Sequence, residues 1–110
     1  MEEIRILIAD DHPLIREGLR RVLELDPRLK VVGEAGDGQG AINLARALQP
    51  DVILMDLKMP GTDGVVASRV IANEFPKIRI IILTVAEDEN MLDVIRCGAC
   101  GYLLKDVEPA

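Results

Sequence analysis

Aromatic residues are almost missing from this chain: one Phe, one Tyr and no Trp in 110 residues. Binding single-stranded nucleic acid by stacking needs several aromatic faces, so that class is disfavoured. Basic residues are outnumbered, 13 against 19 acidic, for a net charge of −6. They are also dispersed, so a polyanion finds no patch to bind, and direct nucleic-acid binding is not expected. No uninterrupted apolar run is longer than Ile80–Leu83, far short of the ~20 residues of a membrane span. The first residues, MEEIR, carry neither a basic n-region nor a long apolar stretch, so no signal peptide is expected. Only two cysteines occur, Cys97 and Cys100, too few for a secreted disulfide framework. These absences together point to a cytoplasmic protein without a membrane partner.

What is present is an ordinary globular composition, 49% apolar and 29% charged, in a length that suits one domain. Short apolar runs alternate with amphipathic stretches. Ile4–Ala9 reads as a first strand. Pro13 then suits the first turn of a helix. Leu14, Ile15, Leu19, Val22 and Leu23 recur there at helical spacing, with Arg16, Glu17, Arg20, Arg21 and Glu24 expected to face water. Val31–Ala35 is a second strand, Ala41–Leu48 a helix stopped by Pro50, and Val52–Met55 a third strand. Met59-Pro60-Gly61 is turn chemistry, and Thr62 or Asp63 can cap a helix running to about Glu74. Ile78–Thr84 is a fourth strand, Asp88–Cys97 a helix with Gly98 at its C-cap, and Gly101–Leu104 a short fifth strand. Continuous apolar strands alternating with helices imply a doubly wound α/β fold, its five-stranded parallel sheet covered on both faces. The flavodoxin-like strand order 2-1-3-4-5 fits best.

The strand ends carry the chemistry. Asp10 and Asp11 follow the first strand, Asp56 ends the third, Thr84 the fourth and Lys105 follows the fifth. In the order 2-1-3-4-5 the connections reverse between strands one and three, where open α/β sheets bind ligands, so Asp10, Asp11 and Asp56 would meet there. Three close carboxylates repel one another unless their pKa values split or a cation joins them. Hard oxygen donors favour Mg²⁺, Mn²⁺ or Ca²⁺. A metal, the Lys105 cation and the Thr84 hydroxyl around one aspartate make a cradle for phosphoryl oxygens, and a carboxylate can itself be the nucleophile. Taken singly, each Asp has a blander reading as a helix cap, Thr84 as a strand-end threonine and Lys105 as a solvated lysine. Their convergence on one sheet edge favours the site.

The segments ADDH (Ala9–His12), LMDLKMPGTDG (Leu54–Gly64), Leu83-Thr84 and GYLLKD (Gly101–Asp106) resemble the receiver domain of two-component response regulators. The wording DDHP and GYLLKD is similar to the NarL/LuxR-type subfamily. The resemblance implies that Asp56 accepts a phosphoryl group from a sensor histidine kinase. It implies Mg²⁺ held by Asp11, Asp56 and the Lys58 backbone carbonyl, with Asp10 acting through a water. Thr84 and Lys105 would contact phosphoryl oxygens, and Tyr102 would be the switch aromatic whose rotamer follows Thr84. Lys58 and Ala86 fall where such domains tune the lifetime of the phosphoryl group. Many receivers carry Pro after the lysine; here Asp106 follows Lys105, so a trans peptide is expected.

The resemblance also implies a receiver domain over residues 1–110 that is one part of a longer transcriptional regulator. A helix should follow the fifth strand, and Val107-Glu108-Pro109-Ala110 is at most its first turn. The chain is therefore expected to lack that helix and a C-terminal DNA-binding domain, leaving it either less stable than a longer form or a homodimer through the uncovered face.

Other readings are weaker. The Cys97/Cys100 pair falls at a helix C-terminus, where the dipole opposes a thiolate, and no second pair completes a zinc site. His12 reads as a helix-entry residue, and the glycine-rich Gly36–Gly40 as a flexible turn without the Lys-Ser/Thr of a P-loop. A phosphatase of the haloacid-dehalogenase type would need a general-acid Asp at position 58, which is Lys. A flavin carrier would need a hydroxyl-rich first loop and flanking aromatics. A degenerate receiver that only binds partners is disfavoured by the complete set Asp10, Asp11, Asp56, Thr84 and Lys105. The chain is thus expected to be a signalling switch rather than an enzyme.

Overall fold

The computed structural model describes residues 3–56, 64–84 and 101–104. The expected Asp88–Cys97 helix, the Thr62 or Asp63 cap, Lys58, both cysteines, Ala86 and the Lys105-Asp106 peptide lie outside these residues. The elements are β1 (Ile4–Ala9), α1 (Pro13–Leu23), β2 (Leu29–Ala35), α2 (Gly38–Leu48), β3 (Val52–Asp56), α3 (Gly64–Glu74), β4 (Arg79–Thr84) and β5 (Gly101–Leu104). Every strand pairing is parallel. The sheet runs β2-β1-β3-β4 in the order expected from the sequence, and β5 pairs along β4. No helix among the described residues is long and apolar enough to cross a membrane.

Side chains alternate across each strand, so one apolar run serves two faces. On one face Leu7, Ala9, Ile53, Met55, Ile80 and Ile82 pack with Ala41, Ile42 and Ala45 of α2 and Ala67 and Ile71 of α3. On the other, Ile6, Ile8, Val31, Leu54 and Leu83 form a smaller cluster against Leu19 and Leu23 of α1. The opposite, N-terminal edge is tied by Asp51: its N–H donates to the Arg5 carbonyl, its own carbonyl accepts from Arg79, and its carboxylate accepts from the Arg5 N–H.

Strand β2 changes faces partway along. Ile6 lies opposite Val31, but Leu7 lies opposite Gly33, so Val32 is an extra residue in the ladder. Without that bulge Val31 and Ala35 would share a face. With it, Val31 belongs to the α1-side cluster and Ala35 to the α2-side cluster. Glu34, between Gly33 and Ala35, is thereby turned toward α1.

Two helices depart from expectation. α2 begins at Gly38 rather than Ala41, so Gly36–Gly40 is a helix start and not merely a flexible turn. Asp37 is its N-cap, and the Asp37 Oδ1 accepts from the Gly40 N–H at 2.6 Å. A Cβ on residue 40 would lie 3.0 Å from that oxygen, so glycine leaves the cap its room. In α1 the row Leu19 and Leu23 faces the sheet, while Leu14 is 82% and Val22 66% exposed. The apolar positions of this helix span more than one face, and the sheet takes only one row.

Candidate functional site

Three elements end at one sheet edge. Ala9 of β1 lies opposite Met55 of β3, which sets Asp10 level with Asp56; Asp56 in turn lies opposite Leu83 of β4. Thr84 closes β4 one residue further on. The topology that reverses between β1 and β3 thus delivers Asp10, Asp11 and Asp56 to a single place. One ligand atom from each of Asp10, Asp11, His12 and Asp56 lies within 4.8 Å of all the others. Asp10 is 0% exposed and Asp56 5%, whereas the Asp11 side chain is 31% open to solvent. Two carboxylates are therefore seated in the protein, and the third stands at the mouth.

Asp10 is held from several directions. Its N–H donates to the Ala35 carbonyl at the end of β2 (2.9 Å). Its Oδ1 accepts from the His12 N–H, also at 2.9 Å. The His12 ring then places Nδ1 at 2.9 Å from Asp10 Oδ1 and at 2.9 Å from Asp11 Oδ1. His12 is the N-cap position of α1 and offers no side-chain cap; its ring serves the carboxylates instead. The helix-entry reading of His12 holds for its backbone and missed its ring.

Arg16 was expected to face water and does not. Its side chain is 21% exposed, and Nη1 donates to the Asp10 carbonyl at 2.5 Å. Its Nε donates to Glu34 Oε1 at 3.2 Å, and Arg20 Nη2 pairs with the other Glu34 oxygen. The sequence does carry a signal for this contact: Arg16 lies one helical turn after His12, at the end of α1 nearest the acidic pair.

Of the residues singled out in the sequence, Asp10, Asp11 and Asp56 come together. Thr84 has its backbone at the same edge, and Tyr102 lies in β5 with its backbone opposite Ile82. Lys58 and Lys105 fall outside the described residues. The donor set suits a hard divalent cation: carboxylate oxygens at short mutual range, two of them withdrawn from bulk water, with repulsion that a cation relieves. Imidazole is a poor ligand for such an ion, which leaves His12 as a hydrogen-bond partner of Asp10.

Residues 6–110 match the model of the response regulator receiver domain. The chain belongs to that family. Among curated relatives it is 48% identical over 106 residues to the nitrate/nitrite response regulator protein NarP of Escherichia coli, covering 96% of this chain and 49% of that protein. It is 41% identical over 107 residues to the transcriptional regulatory protein DegU of Brevibacillus brevis, covering 96% and 45%. The chain spans about half the length of the curated relatives it matches. Its relatives are NarL/LuxR-family response regulators. Among solved structures, the signal receiver domain of the putative response regulator NarL from Mycobacterium tuberculosis superposes with a TM-score of 0.89 at 37% identity, covering 98% of this chain and 88% of that one. The isolated receiver domain of RcsB from Salmonella enterica serovar Typhimurium, solved with the phosphomimetic BeF₃⁻, does so at 0.86 and 35%, covering 98% and 81%. Receiver domains of this family bind Mg²⁺ at an acidic pocket, and among the described residues of this chain Asp10, Asp11, His12 and Asp56 form an acidic cluster.

Proposed function

We propose that this domain takes a phosphoryl group onto Asp56 from a phosphohistidine of a sensor kinase and uses the change to control an output. The observation that carries the reading is the cluster itself: Asp56 closes β3 beside Asp10 and Asp11 at the topological switch point, its side chain withdrawn from solvent. A carboxylate oxygen of Asp56 attacks phosphorus. The new O–P bond forms as the P–N bond to the donor imidazole breaks, and that nitrogen keeps the electron pair. The product is an aspartyl phosphate. Mg²⁺, when bound, supplies charge to offset the phosphoryl and carboxylate oxygens.

This chain's own residues supply the rest. Asp11 and Asp56, with the Lys58 carbonyl, would hold the ion, and Asp10 would act through one of its waters. Asp56 is only 5% exposed, so bulk water has little access to the reacting carboxylate. The Thr84 hydroxyl and the Lys105 ammonium would donate to phosphoryl oxygens, and Tyr102 would follow Thr84 to change the surface near β4 and β5. The output is a DNA-binding domain of the same polypeptide, in the cytoplasm, as the transcriptional relatives suggest. In this reading the domain binds no nucleic acid directly and is a switch rather than an enzyme.

Intact mass tests the assignment. Acetyl phosphate with Mg²⁺ should add one phosphate to the wild-type chain and none to Asp56→Asn. Equal labelling of the variant would place the acceptor elsewhere.

A further inference from the structure

We infer that Arg16 is a positioning residue for the acidic pocket, working through the Asp10–Asp11 peptide and anchored by Glu34. The inference rests on the reading of the pocket as an Mg²⁺ site. Three observations carry it. First, the Arg16 Nη1 donates to the Asp10 carbonyl at 2.5 Å. That carbonyl and the Asp11 N–H belong to one planar unit, so holding the oxygen fixes the plane from which the Asp11 side chain departs. Second, the Asp10 N–H is already held by the Ala35 carbonyl. Both backbone groups of Asp10 are thus tied, one to β2 directly and one through α1. Third, the guanidinium is itself held in place: its Nε donates to Glu34 Oε1 at 3.2 Å, while Arg20 takes the other oxygen.

The bulge at Val32 makes this arrangement possible. It turns Glu34 toward α1 while returning Ala35 to the opposite face in time to meet Asp10. One extra residue in an edge strand therefore sets both grips on Asp10. A planar, forked donor suits the task, because a lysine ammonium in its place could not serve the carbonyl and the carboxylate in the same fixed plane.

The sign of the effect separates positioning from simple electrostatics. Arg16 is a cation beside a cation site. By Coulomb's law alone, removing it should tighten Mg²⁺ binding. Positioning demands the reverse, since partners that orient metal ligands are commonly worth 10–100-fold in affinity. The experiment is an Mg²⁺ titration of the chain followed by amide NMR, with the thermal melt in EDTA as the folding control. Arg16→Ala should weaken Mg²⁺ binding about tenfold, and in the metal-free state its largest shift outside α1 should be at the Asp11 amide. Arg20→Ala, which loses the Glu34 pair but keeps the grip on the carbonyl, should bind Mg²⁺ as wild type does. Glu34→Gln, which keeps the shape and loosens the anchor, should weaken binding by less than Arg16→Ala; it also serves should Arg16→Ala unfold. Unchanged or tighter binding by Arg16→Ala, or by Glu34→Gln in its place, overturns the inference while leaving the pocket reading intact. An equal loss in Arg20→Ala also overturns it, because α1 seating alone would then explain the effect. Failure of the wild type to bind Mg²⁺ overturns the pocket reading and the inference together.

Discussion

Asp37 shows how a single side chain decides where an element starts. Its carboxylate accepts from the Gly40 N–H at 2.6 Å and satisfies one of the donors that a helix start leaves open. Removing it in Asp37→Ala should cost about 1 kcal/mol, read as a lower urea midpoint with an unchanged slope. At this scale the sequence was half legible. Asp10, Asp11 and Asp56 could be picked out because each sits at a strand end, and the strand order brings such ends together. His12 and Arg16 could not be placed so directly, since their roles depend on directions rather than on spacing. The His12 ring lies across two carboxylates of its own loop, and Arg16 finds a backbone carbonyl, an acceptor every residue offers. The pattern of apolar positions put Arg16 on the wet side of α1. The long side chain instead reaches to the polar end of the sheet and carries its charge to Glu34.

The elements themselves followed from the alternation of apolar runs with amphipathic stretches, and their ends were harder to read. Three glycines between 36 and 40 argue against a helix by propensity, yet the Asp37 cap and the burial of Gly38, Ala41 and Ile42 start α2 at Gly38. The bulge in β2 did leave a mark: Gly33, a residue that strands disfavour and that often accompanies a bulge, follows the extra Val32 directly. How elements are fastened to one another can be tested by pH. Arg46 of α2 and Glu74 at the end of α3 form a forked pair, with Nε and Nη2 of the guanidinium both reaching the carboxylate. The hydrogen bonds from Arg46 lower the Glu74 pKa from its ordinary value of 4.5. A carboxyl whose folded value lies below its unfolded one adds stability at pH above the unfolded value and loses it as pH falls through the folded value. Wild type should therefore melt above Glu74→Gln at neutral pH, with a gap that narrows as the pH falls below the ordinary carboxylate range and the folded Glu74 takes up its proton. The pair lies at the surface, so 1 M salt should shrink the neutral-pH gap as well. A gap that persists unchanged in acid, with the carboxyl protonated, would show that the glutamine disturbs packing rather than the ion pair.

Across the whole molecule, a net charge of −6 is combined with three carboxylates gathered at one edge, and in the proposed reading the fold bears their repulsion until a cation binds. That combination predicts a crossing of stabilities. In EDTA, Asp11→Ala removes one of the repelling charges from the mouth of the cluster and should melt at or above the temperature of wild type. With Mg²⁺ the order should invert. A ligand bound only by the folded state stabilises it by about 2.7 kcal/mol at 100 times its dissociation constant. For a domain of this size that corresponds to a rise of roughly 10 °C in wild type. Asp11→Ala should show little of this rise, having lost a proposed ligand, while its circular dichroism in EDTA matches wild type. Potassium chloride at equal ionic strength provides the contrast. It screens the exposed charges of both chains without entering the cluster, so it should raise both melts modestly and leave their order as in EDTA. An Mg²⁺ shift of the same size in both chains would mean that the ion acts elsewhere on the acidic surface. An inversion seen with Mg²⁺ and not with potassium would tie the stability of the whole domain to the edge where β1 and β3 end.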